Sequence, residues 1–173
     1  MKRIIKLFSW IFILTFIVSF IGCNGKHESK PILRVITGTQ VGLTIFSKNQ
    51  YYIVYDNGKT KKTSEFTPTE VKHYAFQTSE EQTTPYLYHI DIDSKEGIEL
   101  NNIAKDIVET INSNETITSP GKLFLIDGSY FFTAFIKKGE QYKVALLEYL
   151  NDNKTIIEIA TFKGDISHVE PYE

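Results

Sequence analysis

The sequence predicts a mainly β, α+β fold: antiparallel β meanders forming a sheet or sandwich, with one amphipathic helix packed across it. Three observations predict this. Turn signals such as Asp127-Gly128, Lys138-Gly139, Asn151-Asp152-Asn153 and Lys163-Gly164 recur roughly every eight to twelve residues, the spacing of an antiparallel meander. The segments between them are rich in β-branched and aromatic residues, which suit a pleated, half-buried surface. A single stretch breaks this pattern. Leu100, Ile103, Ala104, Ile107, Val108 and Ile111 fall at i, i+3, i+4, i+7, i+8 and i+11, one face of a helix.

The chain begins with a segment of different character. Lys2, Arg3 and Lys6 precede an uncharged, apolar run over 7–21, and no acidic residue occurs before Glu28. Positive charge stays on the cytoplasmic side, so the run would enter a membrane with its C-terminal end outside. Gly22 and Cys23 follow, and Cys23 is the only cysteine. A small residue before the cut gives a signal peptidase room.

The four residues Phe20-Ile21-Gly22-Cys23 resemble the lipobox of bacterial lipoproteins, with Phe20 where the usual pattern has Leu. The resemblance covers only the first 23 residues. It implies cleavage between Gly22 and Cys23, a diacylglyceryl group on the Cys23 thiol, and acylation of the freed amine. It therefore implies a lipid bilayer as partner and a cell-membrane location on the extracytoplasmic face. One acyl chain anchors only marginally, at about 0.8 kcal/mol per buried CH₂, so two or three chains on one cysteine suit a durable anchor. An uncleaved transmembrane anchor over 4–21 and an ordinary signal peptide are the alternatives.

The domain organisation follows: 1–22 signal peptide, 23–30 polar tether, 31–173 one β-rich globular domain. Residues 1–22 hold three of the 19 basic residues and none of the 21 acidic ones, so the remaining 151 residues carry a formal charge of −5. That length suits one domain with a real core. The negative balance argues against nucleic acid as a partner. With one cysteine, no intrachain disulfide forms, and packing alone must hold the domain.

In order, the domain is expected to open with strands at 32–37, 41–47 and 51–55, with 48–50 read as a turn. Asp56-Asn57-Gly58 is a strong turn signal, because Asn and Gly accept positive φ cheaply. Residues 59–66 are polar and read as an edge strand that Lys59, Lys61 and Lys62 guard against pairing. Further strands are expected at 71–77 and 86–92. The helix follows and stops near Asn112-Ser113-Asn114. Pro120-Gly121 then opens a second series, with strands at 122–126, 130–136, 142–150, 155–162 and 166–169. Residues 131–136 are apolar on both faces and should be covered on both sides.

Chemistry is sparse in this pattern. The chain has no G-x-S-x-G, H-E-x-x-H, G-x-x-x-x-G-K-[ST] or C-x-x-C. His73, His89 and His168 lack metal-ligand spacing, and no metal or cofactor is implied. Ten tyrosines suit either a binding face or ordinary strands. Two function classes remain. The first is a membrane-anchored, non-catalytic binding or accessory protein of the cell envelope, its partner an envelope protein or a small ligand. The second is a small enzyme whose site is assembled from scattered residues such as His73, His89, Asp91 and Asp127.

Overall fold

A computed structural model describes residues 28–39, 48–77, 85–88, 90, 93–113 and 116–173. The strands are β1 (Pro31–Thr39), β2 (Lys48–Tyr55), β3 (Thr60–Thr63), β4 (His73–Gln77) and β5 (Tyr86–Tyr88). Helix α1 (Lys95–Asn112) follows. Then come β6 (Ile117–Ile126), β7 (Ser129–Lys138), β8 (Gln141–Leu150), β9 (Thr155–Phe162) and β10 (Asp165–Pro171). Two antiparallel sheets result, a small one in the order β10-β1-β2-β3 and a large one in the order β5-β4-β6-β7-β8-β9. No helix among the described residues is long and apolar enough to cross a membrane.

The molecule has three layers, and β7 shows why. Successive strand side chains point to opposite faces. Phe132, Ala134 and Ile136 join the core beneath α1, whereas Phe131 joins the core shared with the small sheet. The large sheet is thus covered on both sides over most of its apolar strands, but Phe135, expected to be covered, is 46% exposed. The helix contributes all six residues of its predicted stripe, each at most 5% exposed. Its start is set by Ser94, whose hydroxyl accepts from Gly97 N at 2.9 Å. Across the other interface, Leu33, Val35, Val54, Ile166 and Val169 meet Phe124, Leu146 and Phe162.

Several boundaries differ from the expected ones. Residues 48–50 are not a turn: they begin β2 and pair with Thr37, Gly38 and Thr39 of β1. They are polar because Lys48 and Asn49 are exposed, not because the chain reverses there. Residues 41–47, expected as a strand, lie outside the described residues, as do 89, 91 and 92 from the expected strand at 86–92. The edge strand shortens to β3, which does lie at the sheet edge with Lys61 and Lys62 exposed. Strand β6 runs straight through Pro120-Gly121 instead of starting after it. Lys30 exchanges two hydrogen bonds with Asp56, Lys30 N to Oδ1 at 3.1 Å and Asp56 N to Lys30 O at 2.9 Å.

Residues 64–72 cross the outer face of the small sheet as a strap. Phe66 sits edge-on to Tyr51, 5.2 Å between centroids, and lies 4.8 Å from Arg34 Cζ. Beyond it, Thr69 reaches Glu170 on β10. The strap thereby carries the chain from β3 at one edge of the small sheet to β4 in the large one.

Candidate functional site

Under the strap lies a carboxylate with no solvent exposure. Glu170 Oε2 accepts from Thr69 N at 2.6 Å and Thr69 Oγ1 at 2.8 Å, and His168 Nε2 lies 3.1 Å away. Arg34 Nη2 is 2.7 Å from Glu170 Oε1. That contact is a charge contact without hydrogen-bond alignment, and Arg34 Nε has no partner among the described residues. Burial works to raise the Glu170 pKa. The Thr69 amide and hydroxyl, then His168 and Arg34, outweigh it and hold the carboxyl below its ordinary value of 4.5. Through the Thr69 hydrogen bonds to buried Glu170, this cluster clamps the strap to the sheet.

The candidate binding site is a cleft of about 520 Å³ where the two sheets meet. A β-bulge stands on each wall. In the large sheet, Pro120 pairs with Ala134 and Leu123 with Phe132, so Gly121 and Lys122 together oppose Thr133. The Thr133 hydroxyl fills the gap by accepting from Lys122 N at 2.9 Å. Only glycine fits beside it, since a Cβ at Gly121 would stand 2.6 Å from Thr133 Oγ1. In the small sheet, Ile36 pairs with His168 and Thr37 with Ile166, which leaves Ser167 as the extra residue. Its hydroxyl donates to Ile36 O at 3.1 Å. Bulges re-aim side chains and interrupt pairing, and they gather beside functional sites.

The cleft surface is mainly apolar, built from Ala75, Phe135, Val144 and Ile166. Its polar groups come from Ser119, Lys122, Thr133, Asp165 and Ser167. Lys122 Nζ spans toward the opposite wall, 3.4 Å from Ser167 O. A pocket of this size, apolar with a few polar groups, has the form of a small-ligand site. A second cavity, about 320 Å³, is lined by Ile117, Leu147 and Ile156, by Lys137 and by the ion pair Lys138–Glu158 at 2.6 Å.

Of the residues singled out from sequence, Gly22, Cys23, His89 and Asp91 lie outside the described residues. His73 is exposed on β4. Its ring stacks on Phe124 at 5.7 Å and its Nδ1 lies 3.3 Å from Val71 O. Asp127 sits exposed in the β6–β7 turn at φ 47, with no hydrogen bond or ion pair to His73. Among the described residues no group of three or more His, Cys, Asp or Glu is arranged to hold a metal. The tyrosines are spread over both sheets, from Tyr149 at 2% exposed to Tyr142 at 63%, and form no single face. Sequence reasoning missed Gly121, Lys122, Thr133 and Ser167. Pro and Gly inside a strand do signal a bulge, but Pro120-Gly121 reads equally well as a break. Nothing local marks Ser167. Neither a scan against family models nor searches of curated proteins and of solved structures finds a match to this chain.

Proposed function

We propose that the chain is a membrane-anchored, extracytoplasmic lipoprotein whose β-rich domain is a non-catalytic binding protein of the cell envelope. The anchor is the acylated Cys23, and the basic flank, the apolar run and Gly22 support it. The observation that carries the binding half is the cleft of about 520 Å³ between two facing bulges, apolar with a few polar groups and open to a small ligand.

Each half has its own test. Cys23→Ala should stay as an unprocessed precursor that lacks acyl mass at residue 23. Normal cleavage before residue 23 in that variant would reject the lipoprotein reading. For binding, the full chain in phospholipid nanodiscs is exposed to an apolar photoactivatable probe, and the labelled peptides are mapped by mass spectrometry. Labelling should concentrate on β7, β8 and β10 and fall sharply in Phe135→Glu, a position in the cleft that is 46% exposed. Uniform labelling, unchanged in that variant, would reject the binding reading.

A further inference from the structure

The geometry points to one class of ligand for the inter-sheet cleft: we infer that it takes an apolar monocarboxylate, such as a medium-chain fatty acid. This rests on the binding reading above and adds the ligand's chemistry. The carboxylate would meet Lys122 Nζ and the Thr133 hydroxyl, and the chain would lie on Phe135, Val144 and Ile166.

Four observations carry the inference. The first is the unspent charge of Lys122. Its stem is half-buried on the inner face of β6, its ammonium reaches the cleft mouth and touches only the Ser167 carbonyl at 3.4 Å, and no carboxylate of the described residues lies within 4 Å of it. Lys138 and Lys154, by contrast, have carboxylates at 2.6 and 2.9 Å. An ammonium has three donors, and an anionic acceptor makes the stronger, charge-assisted bond with them. The second is Thr133, 7% exposed and lining the same cleft. Its oxygen accepts from Lys122 N, but its own O–H has no acceptor among the described residues. The oxygen is already engaged by Lys122 N, and the hydroxyl hydrogen can turn toward a ligand oxygen in the cleft.

The third is the apolar surface leading outward. Phe135 is 46% exposed although its strand is central, and it stands directly opposite Val144. Tyr142 follows on the same face at 63% exposed. Contiguous exposed apolar side chains beside a cleft mark a binding surface. The fourth is Asp165 at the rim, exposed and unpaired among the described residues. Its charge weakens the positive potential of Lys122, and because desolvation cost rises with the square of a ligand's charge, a single negative charge is a better match than a dianion such as a phosphate monoester.

The test uses the full chain in phosphatidylcholine nanodiscs and two photoactivatable probes, a diazirine-bearing octanoate and the corresponding alcohol. The acid should label β7, β8 and β10, and unlabelled octanoate should displace it. The alcohol should label about tenfold less, as expected for loss of a charge-assisted hydrogen bond. Lys122→Met should lower acid labelling by about the same factor and erase the acid-to-alcohol difference, while Lys122→Arg retains it. Thr133→Val should weaken the acid a few-fold. If Lys122→Met fails to fold, the acid-to-alcohol ratio in the unaltered chain decides. Equal labelling of the cleft by acid and alcohol would overturn the carboxylate inference and leave the binding reading intact. No cleft labelling by either probe would remove both and leave the anchor untouched.

Discussion

Glu170→Gln should destabilise the domain more than any exposed acidic substitution. The replacement keeps the shape and removes the charge. Arg34, with its side chain 24% exposed, then keeps its charge with no counter-charge at 2.7 Å, and Thr69 N and Oγ1 lose a charged acceptor. Breaking a fully buried ion pair costs about 3–5 kcal/mol, and a quarter-exposed Arg34 is partly screened by water, so about 2–4 kcal/mol is expected. For a domain of this size that lowers Tm by roughly 5–15 °C. The pH dependence supplies an independent reading. The folded pKa of Glu170 lies below its ordinary 4.5, so its stabilisation is fully present above 4.5 and is lost as pH falls through the folded value. The gap between the unaltered chain and Glu170→Gln should therefore be widest at neutral pH and close in acid. Thermal and urea unfolding at several pH values measure both effects, and hydrogen exchange at Thr69 N reports release of the strap. A variant within about 0.5 kcal/mol of the unaltered chain, with the same acid limb, would refute the clamp.

Ile107 is 0% exposed at the centre of the helix stripe. Ile107→Ala should cost about 2–5 kcal/mol and Ile107→Asp should prevent folding, while exposed Glu109→Ala stays within about 0.5 kcal/mol. Equal urea midpoints for Ile107→Ala and Glu109→Ala would refute helix packing. Gly58 and Gly128 both have positive φ, +75° and +81°, but only Gly58 has a close neighbour, Ile159 O at 3.1 Å from an added Cβ. Each Gly→Ala should cost about 1 kcal/mol or more for the backbone alone. Gly58→Ala should cost more than Gly128→Ala, and equal losses would show that the β2–β3 turn does not rest on β9. Burial, then Asp106 with Tyr149 Oη 3.3 Å from its Oδ2, push the Tyr149 pKa up to about 12. The folded state holds that proton more tightly than the unfolded one, so stability should fall as pH rises from 10 to 12. Tyr149→Phe should lack that limb in alkaline unfolding, and an unchanged limb would exclude Tyr149 as its source.

Much of the local structure is readable in the chain because its causes are local. The helix stripe from Leu100 to Ile111 has a period of 3.6 residues, which no strand reproduces. The turns at Gly58, Gly128 and Gly139 adopt φ of +75°, +81° and +65°, conformations that glycine enters at little cost. The class of fold follows from such signals, as does the burial of β7 on both faces except at Phe135, which is 46% exposed. Polar composition misleads at 48–50, since an exposed strand arm and a turn use the same residues.

Only the tertiary structure decides which strands become neighbours. Leu33 pairs with Pro171 and Val35 with Val169, contacts between the two ends of the domain that no window of sequence contains. The burial of Glu170 is equally non-local. A glutamate belongs at the surface unless donors surround it, and here they arrive from β1 and from the strap. The cleft arises the same way, from a bulge at Gly121-Lys122 and another at Ser167. Each bulge is a small irregularity in its own sheet. Packing the sheets face to face brings Lys122 within reach of Ser167, because side-chain direction is set by pleat and register, and register is fixed only when the whole core closes.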